Sequence, residues 1–289
     1  MMKIAVLSDI HGNYPALQTV SEHIEKWQPD LVIVNGDTVN RGPRPRECLQ
    51  YVQEKEASQG WVILKGNHED YVISRESITA PEGDPVYESF RMAMWTYLQL
   101  NGNVADLIRM PEQYNFTAPD GSSLRAVHAS MRSNRDGIYT FTTDEELAQQ
   151  IAPAPAIFIT SHTHRPLQRR LNGTLVVNTG AVGLPFDGDW RAAYAQITWH
   201  KGMWQSELMR LEYDRAQADR DFEATGYLEG GGPLIQLVRH ELATARSQVH
   251  RWAEKYTNTV LSGQMSMAES VRLVWDEIER EGDDMTVYW

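Results

Sequence analysis

Short β-rich apolar runs in this chain are each cut off by a residue able to bind a cation or shape a turn, and this pattern leaves few architectures open. Lys3–Leu7 (KIAVL) runs into Ser8-Asp9-Ile10-His11-Gly12-Asn13, and Leu31–Val34 (LVIV) into Asn35-Gly36-Asp37. Trp61–Leu64 (WVIL) runs into Lys65-Gly66-Asn67-His68-Glu69-Asp70, Leu124–Val127 (LRAV) into His128, and Ala156–Thr160 (AIFIT) into Ser161-His162-Thr163-His164. Apolar runs of this length, stopped by Gly, Asn or Asp, read as buried strands whose C-terminal ends open into loops. In layered α/β proteins those loop ends are where ligands gather. His11, His68, His128, His162 and His164 all fall at such ends, whereas His23, His200, His240 and His250 lie in helix-like or strand-like stretches.

The residue types point to a pair of divalent cations. Two such ions about 3.5–4 Å apart can activate a water and clamp both the attacking and leaving oxygens of a phosphate. A pair needs one ligand that reaches both, and a carboxylate with two oxygens does so, which makes Asp37 the candidate bridge. Imidazoles and an amide oxygen complete a mixed N/O set suited to Mn, Fe, Zn, Co or Ni, with Mn the first choice. Asp9 and His11, two apart at a strand end, can reach one ion where the chain turns, and His162 and His164 share a face of an extended segment. For any one of these residues a turn or helix-cap role is the simpler reading. It is their joint order that argues for a site. Asn35 reads as a strand-end turn. Arg41 in Asn40-Arg41-Gly42 has the planar, bidentate shape that suits a phosphate oxygen.

Together the five texts SDIHGN, GDTVNRG, GNHED, His128 and SHTH resemble the calcineurin-like metallophosphoesterase superfamily. That resemblance implies a four-layer α/β/β/α fold, a two-sheet sandwich flanked by helices, with the metals at one edge of the sheets. It also implies that Asp9, His11, Asp37 and His164 bind one metal and that Asp37, Asn67, His128 and His162 bind the other. His68 is then an acid or phosphate contact oriented by Asp9, and catalysis rests on His68, Asp9 and Arg41 with a hydroxide bridging the two ions. The activity implied is hydrolysis of small, nucleotide-like phosphodiesters or phosphomonoesters. Activity like that of Ser/Thr protein phosphatases or dinucleoside tetraphosphatases is the alternative, although Asn40 stands where those families place Asp. A catalytically silent binding module of the same fold is the reading from another class, and the complete ligand set speaks against it. Ser161 stands where the superfamily usually has Gly.

Composition narrows the partners. A formal net charge of −12 over 289 residues argues against a broad basic face for nucleic acid and leaves a small phosphorylated substrate as the expected partner. The lone cysteine, Cys48, can make no intrachain disulfide and reads as a buried helical thiol, in keeping with a cytoplasmic location. The first apolar run is far shorter than the ~7–15 residues of a signal h-region. Nor does any stretch approach the ~20 apolar residues of a membrane helix.

Along the chain, Leu17, Val20, Ile24 and Trp27 predict an amphipathic helix after Asn13 and Pro15, giving a β-α-β rhythm. Between Glu69 and Arg109 a helical stripe of Val86, Phe90, Met94, Tyr97 and Leu98 is expected beside the mouth of the site. Within the polar segment 130–139, Arg132 and Arg135 are candidates for holding a second phosphate. Residues 192–199 and 203–212 read as a hairpin, and 178–183 as a tight passage near the metals. These elements make residues 1–212 a catalytic domain. Residues 213–289 read as a C-terminal helical extension, with Ile235, Val238, Leu242, Ala245, Val249, Trp252 and Tyr256 at helical spacing and a last helix over 267–281. Its apolar stripes must bury against the domain or a second copy of the chain, which makes a homo-oligomer an expectation.

Overall fold

The computed structural model describes residues 1–283. The apolar runs form ten strands: β1 (Met2–Leu7), β2 (Leu31–Asn35), β3 (Val62–Leu64), β4 (Gln113–Thr117), β5 (Ser123–Val127), β6 (Ile157–Thr160), β7 (Leu167–Leu171), β8 (Thr174–Asn178), β9 (Ala192–His200) and β10 (Met203–Leu211). They build two five-stranded mixed sheets, in the orders β10-β9-β1-β2-β3 and β4-β5-β6-β8-β7. In the first sheet β1, β2 and β3 pair in parallel. In the second, β5, β6 and β8 do the same. Their C-terminal ends carry the Asp9, Asp37, Asn67, His128 and His162 segments.

Strand alternation sets the layers. Ile4 and Val6 of β1, Ile33 of β2, Ile157 and Ile159 of β6, and Leu175 and Val177 of β8 meet between the sheets. The intervening residues face outward, Ala5, Leu7, Val32 and Val34 against helices Tyr14–Trp27 and Pro45–Gln59. Phe158 and Val176 face Leu147 of helix Asp144–Gln150. Side chains with a period of two thus fill both faces of each sheet. The expected α/β/β/α sandwich is what forms.

Three expectations change in detail. The stripe over 86–98 is broken, because helices Pro85–Ser89 and Arg91–Gln99 change direction at Phe90 (φ −116°, ψ 15°). The buried face is therefore Ala93, Trp95 and Thr96, while Leu98 is 59% exposed. The spacing from Ile235 to Tyr256 likewise belongs to two helices, Ile235–Thr244 and Val249–Leu261, separated by a left-handed Ala245 (φ 52°). The hairpin turn is two residues, Lys201 and Gly202, both at positive φ, and it pairs His200 with Met203.

The C-terminal helices close on the chain itself. Ile235, Val238 and Leu242 enter the same core as the first sheet and its helices. Leu237, Trp252, Val260, Val271 and Val274 form a further apolar cluster around helix Met267–Glu281. Trp252 donates its indole N–H to Ser270 Oγ at 2.8 Å, and the Tyr256 hydroxyl donates to Glu277 at 2.8 Å, so Trp252 is a core residue and Tyr256 packs half-buried against the same cluster, each with a satisfied polar tip. Cys48 is buried in helix Pro45–Gln59, and burial pushes its thiol pKa up.

Candidate metal centre

The loops that follow the strands are laced to one another through their backbones. The Asp9, His11 and Gly12 N–H groups donate to the carbonyls of Gly36, Asp37 and Thr38. Gly183 N–H donates to the Asp9 carbonyl, which brings the tight 178–183 passage against the first loop. Asp9, His11, Asp37, Asn40, Arg41, His162 and His164 all sit at positive φ, between 48° and 69°. Non-glycine residues in this region cost roughly 1–2 kcal/mol each, a strain that persists only where the surroundings over-determine it. Gly66 makes room for this crossing, since a Cβ there would lie 2.1 Å from Asp37 Oδ1.

Two carboxylates are held in the same way. Asp9 accepts at Oδ2 from the His162 N–H (3.2 Å), and Asp37 accepts at Oδ1 from the His68 N–H (2.8 Å). Their other oxygens, Asp9 Oδ1 and Asp37 Oδ2, are buried and have no hydrogen-bond partner. Ring nitrogens surround these oxygens: His164 Nε2 lies 3.4 Å from Asp9 Oδ1, while His128 Nε2 and His11 Nε2 lie 3.2 and 3.7 Å from Asp37 Oδ2. Asn67 Oδ1 sits 3.0 Å from His128 Nε2 and 2.9 Å from His162 Nδ1. Ligand atoms of Asp9, His11, Asp37 and His164 lie within 4.8 Å of one another, and so do those of Asp37, His128 and His162. Asp37 belongs to both groups.

The imidazoles are set for ligation. His11, His128 and His164 each donate Nδ1–H to a backbone carbonyl, those of Asn40 (3.2 Å), Asn35 (2.8 Å) and Leu184 (2.5 Å). That directs each Nε2 inward, the arrangement that second-layer carbonyls impose on metal-binding histidines. Such converging ring nitrogens, with two orphaned carboxylate oxygens, suit a divalent cation. Burial pushes His11 well below its usual pKa and His162 down to about 3. His128 goes the other way: burial opposes its charge, yet Asp37 and Asp9 raise its pKa to about 10.

His68 is not paired with Asp9, the partner expected from the sequence. Its Nδ1 lies 2.9 Å from Asn40 Nδ2, and Asn40 Oδ1 faces the Thr96 hydroxyl at 3.5 Å. Asn40 at the end of its loop reaches His68, whereas Asp9 Oδ2 is already held by the His162 N–H. An amide N–H donated to Nδ1 places the ring proton on Nε2, so His68 offers a hydrogen-bond donor. Burial lowers the His68 pKa to about 3, with Asp37 opposing.

Arg41 lines the cleft with Asp37, Asn67 and His68. Its guanidinium pairs with Glu241 at 2.7 Å, a contact from the C-terminal extension that sequence reading missed. Arg135 also lines this cleft and lies over the Tyr71 ring, 5.0 Å from its centroid. Arg132 does not reach it. Its guanidinium is committed to Asp136 (2.7 Å) and Glu146 (2.5 Å), acids close by in its own segment.

Glu69 is a further residue the motifs concealed. Its buried carboxylate accepts from the N–H groups of Asp37 (2.9 Å), Thr38 (2.8 Å), Val39 (3.2 Å) and Gly66 (2.7 Å), and so fixes the loop that presents Asp37. Burial and the Asp37 charge raise its pKa to about 7, against the N–H groups of Gly66, Val39 and Asp37. An acid three residues after Gly66 at a helix start was the available signal. Asn35 binds the Val127 carbonyl and Ser161 Oγ, both at 2.8 Å, and joins the two sheets beneath the site.

The chain is 25% identical over 231 residues to the uncharacterized protein MJ0912 of Methanocaldococcus jannaschii, spanning 74% of this chain and 89% of that protein. It is 30% identical over 101 residues to phosphodiesterase YfcE of Escherichia coli, spanning 32% of this chain and 55% of that protein. A metallophosphoesterase structure from Sphaerobacter thermophilus superimposes with a TM-score of 0.66 at 26% identity, over 84% of this chain and 99% of that one. The calcineurin-like phosphoesterase model matches residues 2–183, and the chain belongs to that family.

Proposed function

We propose that this chain hydrolyses small phosphodiesters or phosphomonoesters with the help of two divalent cations, Mn²⁺ first among Mn, Fe, Zn, Co and Ni. In this reading Asp9, His11, Asp37 and His164 hold one ion, and Asp37, Asn67, His128 and His162 hold the other. The observation that carries the reading is the pair of buried, unpartnered oxygens, Asp9 Oδ1 and Asp37 Oδ2, facing inward-directed imidazole nitrogens. Divalent ions bound there supply Lewis acidity and lower the pKa of water toward neutrality.

The chain's own residues do the rest. His68 donates Nε2–H to a phosphate oxygen, with Asn40 holding the ring in place. Arg41 and Arg135 contribute positive charge at the wall of the cleft, where Arg41 is kept in position by Glu241. Residues 1–212 serve as the catalytic domain and 213–289 as an extension that completes its cleft, since Ser247 and His250 line it. A cleft of about 300 Å³ suits a small substrate, and so does Asn40 in place of the acid of the protein phosphatases. The phosphodiesterase relative favours a diester.

The test is the initial rate on a chromogenic monoester and diester, with metal-stripped protein refilled with Mn²⁺ and Asp37→Asn as the blank. A metal-dependent rate lost in the blank supports the reading. Absence of any metal-dependent rate on either ester refutes it and favours a silent binding module.

A further inference from the structure

Beside the polar cleft lies a second one of about 350 Å³, and the two share Arg41, His68, Tyr71 and His250. Their walls differ in kind. The polar cleft is bounded by Asp37, Asn67 and the site histidines. The second is walled by Phe90, Met92 and Ala93 on one side, from the insertion between the Asn67 and His128 motifs. Leu234, Val249 and Trp252 of the C-terminal extension form the other side. No carboxylate lines it among the described residues. Its one guanidinium, Arg41, is already paired with Glu241.

We infer that this annex is a substrate subsite that takes an apolar, aromatic arm of the phosphoester whose phosphate sits among the Asp37, Asn67 and His68 side chains. The inference rests on the proposed phosphoesterase reading and names the substrate class for it. A polyphosphate arm needs cations along its length, and the annex has a single guanidinium, Arg41, which stands at the border it shares with the polar cleft. A sugar arm needs several available hydrogen-bonding groups, whereas Asn40, Ser89 and Thr257 on the wall are already bonded to His68 and to the Pro85 and Ala253 carbonyls, and most of the rest of the wall is apolar. An aromatic ring entering past His68 instead removes apolar surface of both partners from water. Both walls come from segments outside the metal-binding motifs, so they can set the arm's identity without altering the metal ligands.

A binding measurement separates this subsite from the chemistry. Dissociation constants for ethylphosphonate and 2-phenylethylphosphonate, which share a phosphonate head and differ by a phenyl ring, are measured by calorimetry on Mn²⁺-loaded full-length protein. The ring should tighten binding about ten- to hundred-fold, the value of burying one aromatic side chain. Ala253→Phe and Thr257→Phe, two separate fillings of the annex from helix Val249–Leu261, should each bring that ratio close to one. Equal affinities in the unaltered protein, or a ratio that survives both fillings, would overturn the annex and leave the phosphoesterase reading standing. Failure of both phosphonates to bind would remove that reading and the annex with it.

Discussion

Replacing Glu241 by Leu tests whether the C-terminal extension is coupled to the site through charge. Glu241 is fully buried and the Arg41 side chain is 10% exposed, with Nη2 to Oε2 at 2.7 Å. Arg41 Nε is buried and already lacks a partner, so loss of Glu241 leaves the guanidinium with no anion at this contact. Breaking a buried pair from one side costs about 3–5 kcal/mol, chiefly from the stranded charge. Glu241 Oε1 also accepts the Gln248 and Val249 N–H groups at 2.6 and 2.7 Å. Losing these adds about 1 kcal/mol each. Relaxation of Arg41 toward the cleft reduces the total, so about 3–5 kcal/mol is expected in equilibrium urea unfolding of metal-loaded protein. The double variant Arg41→Met, Glu241→Leu should recover the share due to the stranded charge and retain the cost of the two N–H groups. A coupling energy below about 0.5 kcal/mol in that cycle would refute the argument, because contacting partners in one network couple more strongly than that.

Further outcomes concern the metal centre. Glu69→Gln puts an amide NH₂ against two of the four N–H groups its carboxylate now accepts, and should weaken metal affinity about 10–100-fold in a metal titration; unchanged affinity would show that the Asp37 loop holds its shape unaided. His68→Ala should lower turnover about 10²–10³-fold with metal content close to that of the parent protein, and simultaneous loss of metal on elemental analysis would make His68 a ligand. In the metal-free protein His128, raised to about 10 by Asp37 and Asp9 against burial, is protonated at pH 7 and must lose that proton to ligate. Calorimetric titration with Mn²⁺ in two buffers of different ionisation enthalpy should therefore show proton release and an affinity that rises with pH; no buffer dependence at pH 7 would contradict it. The same raised pKa stabilises the metal-free fold below the unfolded value near 6.5, and that contribution is lost as pH climbs toward about 10. Metal-free protein should accordingly show a falling thermal midpoint over that window, absent once metal is loaded.

The candidate metal-site residues could be picked out because their signal is local. Asp9, Asp37, Asn67 and His162 each sit within three residues of the end of an apolar run, and strand ends in a layered α/β protein converge whatever the connecting segments do. Helix Tyr14–Trp27 was equally plain, since Asn13 caps it and its apolar spacing is unbroken. The stripe from Val86 to Leu98 misled for the converse reason. Spacing alone does not register the break at Phe90, and the buried face then follows Trp95, which packs 4.4 Å from Tyr227 between ring centroids.

What sits around the metal residues depended on contacts across long stretches of chain. Asn40 reaches His68, Glu69 gathers the backbone of Asp37 to Val39, and Glu241 meets Arg41 from 200 residues away. No periodicity or short motif encodes such pairings, because each partner looks ordinary in its own segment and acquires its role only when a buried charge or N–H group must be satisfied. The strands and the chemistry of the strand-end loops are therefore legible from residue types in the chain. Which side chains orient His68, hold Arg41 and wall the clefts is settled by packing, where each buried polar group must take its partners from whatever segments the fold brings within reach.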